Sequence, residues 1–243
     1  YIKKRQFIKL FPKNIFNKNY QVIIYKQKYE QLKQKYNNKT IDNINKLDYD
    51  KNITNTIYCI LLRYSTLRSN NNQLAVSPTK LESLKLEYNL SFESFASAIN
   101  ATMDHFCSVY PDLEKYFGSF GNFFNIKFIK GCYNFNPPFQ EDIINLGINK
   151  ILFDLKNSNE ELTFIITIPV WDIEGKKMFG IEDKYSDMPI IQTIKDSKYL
   201  IKIDAINKSN FNYQDHLFNL VKNVTIQHTY LIILSNNLKM DIK

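Results

Sequence analysis

Asn136-Pro137-Pro138-Phe139 is the segment of this chain whose residue types and spacing best fit a chemical task. The Asn side-chain oxygen and a proline carbonyl are two acceptors. Together they can bond both N–H groups of an exocyclic nucleobase amine. Pro137 and Pro138 have no N–H of their own and a fixed φ, so their carbonyls are held in place. Phe139 offers a flat face for a base, and such stacking is worth about 1–3 kcal/mol. Acceptors placed where charge develops act by preorganised electrostatics. The same residues also make an ordinary turn, because Asn tolerates turn geometry and Pro stops a strand.

The elements on either side favour the chemical reading. Gly131 to Phe135 is short and apolar enough for a buried strand, and Gln140-Glu141-Asp142-Ile143-Ile144 opens a helix with acids in its first turn. A strand that ends in a rigid turn and feeds a helix is where α/β folds place ligands. The helix continues through Ile144, Ile148, Ile151, Leu152 and Leu155 on one face. Leu162 to Ile168, ending at Pro169-Val170-Trp171, is the clearest strand of the chain. Further strands are expected near Phe92 to Ala96, Cys107 to Tyr110, Tyr199 to Ile206 and Tyr230 to Leu234, with a helix over Ile99 to Phe106. This alternation predicts an α/β sheet with mostly parallel strands.

The first part of the chain reads differently. Tyr25, Tyr29, Leu32 and Tyr36 predict a helix over about 21–36, and Ile57, Ile60, Leu61 and Tyr64 another over 56–67. Residues 37–52 read as loop, and Ser69 to Asn72 as a linker. Thr79 and Glu82 have the spacing of a capping box for a helix that starts at Pro78. The expected organisation is a basic helical region over 1–72 and an α/β core over 73–243.

Charge is uneven. Residues 1–40 hold eleven Lys and Arg against Glu30 alone, about +10 in a chain of net charge +8, so the rest is near −2. A basic arm on a near-neutral body points to a polyanion, most simply nucleic acid. The other reading is a solvated surface in a Lys-rich sequence. Cys59, Cys107 and Cys132, like His105, His216 and His228, are scattered, so no metal site and no disulfide framework are expected. That cysteine usage suits a reducing, intracellular compartment. No apolar run approaches the roughly 20 residues of a membrane span, so no membrane partner is expected.

Several segments in order resemble the phosphorylated-CTD-interacting factor 1 family. They are Ser91 to Asn100 (SFESFASAIN), Phe106 to Asp112 (FCSVYPD), Tyr116 to Gly121 (YFGSFG), the Asn136 to Phe139 motif, and Leu162 to Pro169 with Trp171. The resemblance covers roughly 74–235. It implies a Rossmann-like methyltransferase core preceded by a helical region, with S-adenosyl-L-methionine as methyl donor. The implied substrate is the N(6) amine of the 2'-O-methyladenosine beside the cap of messenger RNA. Other RNA, DNA, or a non-catalytic RNA-binding role on the same scaffold are the alternatives.

By resemblance, Asn136, Pro137, Pro138 and Phe139 are catalytic, and Asn136 also meets the donor. Phe95, Ala96 and Ser97 form the first strand-to-turn segment beside the donor, and Glu141 and Trp171 face the substrate. Asp112 is the candidate ribose-hydroxyl acceptor, with a helix cap as its other reading. Gly118 and Ser119 let backbone approach the donor's adenine. Arg5, Arg63 and Arg68 are the only arginines and suit planar phosphate or base contacts. The family's tryptophan-pair domain is not visible here, so binding to a phosphorylated polymerase tail is not implied. Cellular mRNA as substrate would place the protein in the nucleus, and other substrates in the cytoplasm.

If residues 1–40 supply phosphate contacts, removing their charge weakens RNA binding and flattens its salt dependence without changing sequence preference. An unchanged slope of log affinity against log salt would make the segment a solvated surface only.

Overall fold

The computed structural model describes residues 7–10, 21–36, 46–67, 73–181, 187–216 and 219–237. In chain order the elements are β1 (Phe7–Leu10), β2 (Val22–Tyr25), α1 (Lys26–Lys35), α2 (Lys46–Ser65), β3 (Leu74–Val76), α3 (Pro78–Tyr88), β4 (Phe92–Glu93), β5 (His105–Phe106) and α4 (Pro111–Glu114). They continue as β6 (Gly131–Phe135), α5 (Glu141–Asn157), β7 (Leu162–Pro169), α6 (Ile173–Met178), α7 (Ile190–Lys195), β8 (Leu200–Ile206), β9 (Tyr213–Asp215), β10 (Asn219–Val224) and β11 (Thr229–Ser235).

The main sheet has six strands in the order β5-β4-β6-β7-β11-β8. The first four pair in parallel, and β11 runs antiparallel to both β7 and β8. One strand is therefore reversed against five, a mixed α/β sheet compatible with a Rossmann-like methyltransferase fold. The centre of the sheet explains itself. β7 reads LTFIITIP and is buried along its whole length, as a strand covered on both faces must be. Phe164, Ile166 and Ile168 pack with Ile144, Ile148, Ile151 and Leu155 of α5. Ile165, Leu231 and Ile233 turn to the other face, where Leu81, Leu84 and Tyr88 of α3 cover them.

β6 and α5 follow the sequence pattern closely. Other expectations change. The residues from Val22 to Tyr25 do not begin a helix: they pair antiparallel with Phe7 to Leu10, as a run of Val and Ile favours. The N-terminal region therefore carries a strand pair as well as α1 and α2. Part of the expected loop 37–52 is helix, since α2 starts at Lys46. The linker at Ser69 to Asn72 lies outside the described residues. α3 starts with Ser77 at its N-cap position and Pro78 in the first turn, with no side-chain cap bond, so Thr79 and Glu82 lie within the helix and not at its cap.

The expected strand over 92–96 shrinks to the two-residue β4, no strand forms over 107–110, and the expected helix over 99–106 is absent, its last two residues forming β5 instead. Side chains there capture the backbone instead. The Ser97 N–H donates to Asn100 Oδ1 (2.7 Å), and Ser97 Oγ accepts from the Ile99 and Asn100 N–H groups (3.1 and 3.2 Å). Glu93 Oε2 accepts from Thr102 and Met103 (2.7 and 3.0 Å). Such bonds compete with a helix for the same donors.

One hydrophobic cluster joins Leu10, Ile24, Leu32, Tyr36, Ile57 and Tyr64 to Ile99, Phe106 and Phe117. The first 40 residues thus contribute core side chains. Their charge is best tested by exchanging exposed lysines such as Lys26 and Lys35 for Gln, not by deletion.

Gly147 on α5 faces Phe135. A Cβ there would stand 2.3 Å from the Phe135 ring, which is itself fully buried. Gly147→Ala should therefore cost about 1–3 kcal/mol by overpacking, a drop in Tm of about 2–4 °C per kcal/mol for a chain of this size. A melting curve superimposable on the parent would show that the ring moves freely.

Candidate active site

The motif leaves the sheet at the C-terminal end of β6, between β4 and β7, whose chain ends point the same way. The Ser94 N–H donates to the Asn134 carbonyl (2.7 Å), which carries the β4–β6 pairing one residue beyond the strand. Phe135 anchors the exit, packed edge-on against Phe95 (ring centroids 5.3 Å apart). Next, Asn136 is half-buried, Pro137 buried, Pro138 exposed and Phe139 half-buried. The Gln140 N–H donates to the Pro138 carbonyl (2.7 Å). Gln140 in turn takes the extended N-cap geometry of α5, with Glu141 and Asp142 in the first turn.

Trp171 stands two residues beyond β7, its ring centroid 6.4 Å from that of Phe139 and near-perpendicular to it. Tyr213 of β9 meets Phe139 from another side at 6.0 Å. Trp171 Nε1 donates to Gln227 Oε1 (3.2 Å). The structure therefore brings Phe139 and Trp171 together, and Phe95 against Phe135. Asp172, which the sequence did not single out, accepts from Tyr230 (2.9 Å) and from the Gly175 N–H (3.2 Å), and so fixes the turn after Trp171.

The loop after β4 is bound from several sides. The Ala96 N–H donates to the Cys107 carbonyl (2.9 Å). Ser97 Oγ lies 2.5 Å from Gln73 Oε1. Glu114, fully buried, accepts from the Ala98 N–H (2.7 Å), the Tyr110 N–H (3.3 Å) and the Tyr64 hydroxyl (3.0 Å). Burial pushes its carboxyl up to about 7, opposed by those same hydrogen bonds. Glu93 is likewise buried and raised by desolvation. Neither glutamate was singled out from the sequence. Glu93, between Phe92 and Phe95, carried the signal of a lone acid among aromatics, whereas Glu114, between Asp112 and Lys115, carried none.

The remaining candidates sit elsewhere. Asp112 is on α4, six residues beyond the short β5, where Arg63 Nη1 donates to both its oxygens (2.8 Å each). Arg63 also lies over the Tyr110 ring at 5.3 Å. Gly118 has φ +108°, and a Cβ on it would fall 2.1 Å from the Asp104 carbonyl oxygen. Its missing side chain thus lets two pieces of this chain approach. Ser119 Oγ bonds Ser108 Oγ at 2.6 Å. Arg5 and Arg68 lie outside the described residues. Among the described residues no group of three or more His, Cys, Asp or Glu is placed to hold a metal ion, and no helix is long and apolar enough to cross a membrane.

Two comparisons bear on this geometry. A family model described as "Phosphorylated CTD interacting factor 1 WW domain" matches residues 28–216. The chain belongs to this family. Human and mouse proteins named mRNA (2'-O-methyladenosine-N(6)-)-methyltransferase are each 31% identical to it over 121 residues, 47% of this chain and 17% of theirs. The chain thus spans about a sixth of the length of those curated relatives.

Glu114 gives a pH signature. Its folded-state value is raised above the ordinary carboxylate value, so the folded chain binds the proton more tightly than the unfolded chain. Stability from this group is present below about pH 4.5 and is lost as pH rises to about 7. Glu114→Gln should remove that loss, which amounts to about 3 kcal/mol at most. Denaturant midpoints of both proteins between pH 4 and 8 test it. Parallel profiles would mean the carboxyl titrates normally.

Proposed function

We propose that this chain transfers a methyl group from S-adenosyl-L-methionine to the N(6) amine of adenosine in RNA, with the cap-adjacent 2'-O-methyladenosine of mRNA as the preferred target. The observation that carries the reading is Asn136-Pro137-Pro138-Phe139 at the C-terminal end of a parallel strand, flanked by a tightly bonded loop from the neighbouring strand and by Trp171. The family membership and the names of the human and mouse relatives support it.

The residues fit a nucleoside-containing methyl donor. Ser94 Oγ and Asn134 Oδ1 are buried at the C-terminal edge of the parallel strands and have no hydrogen-bond partner among the described residues. That edge is where α/β sheets take nucleotides. Phe95, Ala96 and Ser97 would hold the donor together with Asn136, and Gly118 and Ser119 would border its adenine. Asp112 could serve the ribose only by giving up part of its bond to Arg63. When bound, the donor supplies an electrophilic methyl group on a sulfonium.

The chain's own residues do the rest. Asn136 Oδ1 accepts one amine hydrogen of the target adenine. The Pro138 carbonyl is already bonded to the Gln140 N–H, which leaves the Pro137 carbonyl for the other. Both bonds strengthen as the nitrogen turns tetrahedral and positive, so they favour the transition state over the ground state. Phe139 and Trp171 supply faces for the base. Glu141, Arg63, Arg5 and Arg68 are assigned to the RNA side, with the basic N-terminal region giving affinity without base selection.

Asn136→Ala should lower the single-turnover methylation rate about 100- to 1000-fold while RNA binding stays near the parent value. Phe139→Ala should weaken both. The assay compares capped RNA, uncapped RNA and DNA with the same first adenosine. A near-parental rate for Asn136→Ala would remove this motif as the amine site, and no saturable S-adenosyl-L-methionine binding in calorimetry would favour a non-catalytic RNA-binding role.

A further inference from the structure

A residue type that caps helices stands at the head of α3 without capping it. Ser77 is at the N-cap position, yet its side chain makes no cap bond. Its N–H donates to the Asn212 carbonyl, and its carbonyl accepts from the Leu81 N–H (3.0 Å each). The hydroxyl is the polar group left over, and it has no partner among the described residues. Ser77 is only 8% exposed, and the space it lines is a cavity of about 340 Å³. Thr79 and Lys80 line the same cavity from α3. Asn210, Phe211 and Asn212 close it from the turn between β8 and β9.

The lining gathers donors around one space. Leu81 makes the first helical bond, so the Thr79 and Lys80 N–H groups have no helical acceptor, and Pro78 has no N–H. These amides and the helix dipole favour a negative charge at this end. The Ser77 and Thr79 hydroxyls and the Asn210 and Asn212 amides add further donors. Lys80, half-buried, is the one charged residue of the lining, and among the described residues no carboxylate lines the cavity. A buried hydroxyl without a partner, a lysine and open helix amides about a common cavity suit the oxygens of a phosphate. Small-molecule sites measure about 300–1,000 Å³, so this one has room for a phosphate with its sugar.

The location points to the source of that phosphate. Ile206, the last residue of β8, also lines the cavity. It pairs with Thr229, which pairs with Pro169 at the end of β7. The cavity is therefore at the end of the sheet where the motif leaves β6. The ring of Phe211 lies 5.3 Å from that of Tyr213, which meets Phe139 at 6.0 Å. In the sheet order β4, whose loop is assigned to the methyl donor, lies on one side of β6 and β8 on the other. A strand with one base at Phe139 thus has its neighbouring backbone within reach of the head of α3.

We propose that the cavity at the head of α3 binds a phosphate of the substrate RNA flanking the target adenosine, through Ser77, Lys80 and the first amides of the helix. The assignment to RNA rests on the methyltransferase reading; the cavity and its donors do not.

The test uses the full chain and a short capped RNA that starts with adenosine. The RNA is also made with each phosphodiester in turn replaced by an uncharged methylphosphonate, and with a 5'-hydroxyl in place of the cap. By fluorescence anisotropy, wild type should bind one of these RNAs about tenfold more weakly. Lys80→Gln should bind the unmodified RNA equally weakly, lose less than twofold further at that position, and lower the slope of log affinity against log salt by about 0.7, one phosphate of a single strand. Ser77→Asp should cap α3 and raise Tm, yet also bind RNA about tenfold more weakly, because its carboxylate takes the place of the anion. A Ser77 that only shapes the helix would not give tighter folding with weaker binding. Calorimetry should show S-adenosyl-L-methionine affinity within twofold of wild type in both variants. Either variant binding RNA within twofold of wild type, or no position whose loss the variants suppress, overturns the site. Variants that lose S-adenosyl-L-methionine and keep RNA assign the cavity to the donor and overturn the RNA assignment. Wild type that shows the phosphate effect without binding S-adenosyl-L-methionine overturns the methyltransferase reading and leaves the phosphate site standing.

Discussion

The pairing of β6 between two parallel neighbours is the constraint on which the rest depends. A parallel strand cannot turn straight back to its neighbour, so the chain must cross over through α5 before β7 begins. Five residues, Asn136 to Gln140, separate the end of β6 from the start of α5. The space is too short for a flexible loop, and Pro137 and Pro138 give it two fixed φ angles. Phe135, buried against Gly147 and Phe95, then sets where Asn136 begins. The motif is anchored in the core at Phe135 and by α5 at its other end, so its backbone is fixed at both ends.

The loop after β4 is built by another means. β4 is two residues long and cannot position its neighbours by ladder bonds alone. Buried polar side chains take over: Glu93 gathers two amides, Ser97 and Asn100 close a tight turn, and Glu114 ties Ala98 and Tyr110 to Tyr64 of α2. A buried carboxylate that meets several donors is costly to form and costly to break. This loop is therefore fixed in place, and it links the N-terminal helices to the motif side of the sheet.

Exposed charge and buried charge divide the N-terminal region. Among its described lysines, Lys9, Lys26 and Lys35 are exposed and give a positive field that a polyanion would meet at long range. Lys28 is different because its helix turns it into the protein, toward His216. Counting charge along the chain treats both kinds alike, although one acts through solvent and the other meets a single buried imidazole.

The sequence by itself determined the parts governed by local pattern. β6, α5 and β7 followed from an apolar run, a 3.6-residue period and a second apolar run, because each is buried by its own elements' packing. The motif was legible because two prolines and an asparagine carry their geometry with them. Tertiary structure decided the rest. The strand in place of helix at Val22 to Tyr25 depends on pairing with Phe7 to Leu10, 12 to 18 residues earlier. The missing helix over 99–106 depends on Ser97, Asn100 and Glu93 taking backbone donors that a helix would have used. Asp112 meets Arg63, 49 residues away, and Lys28 meets His216, 188 residues away. Contacts across such separations leave no period in the sequence, since the energy that fixes them comes from burial and hydrogen bonding between segments that only the fold brings together.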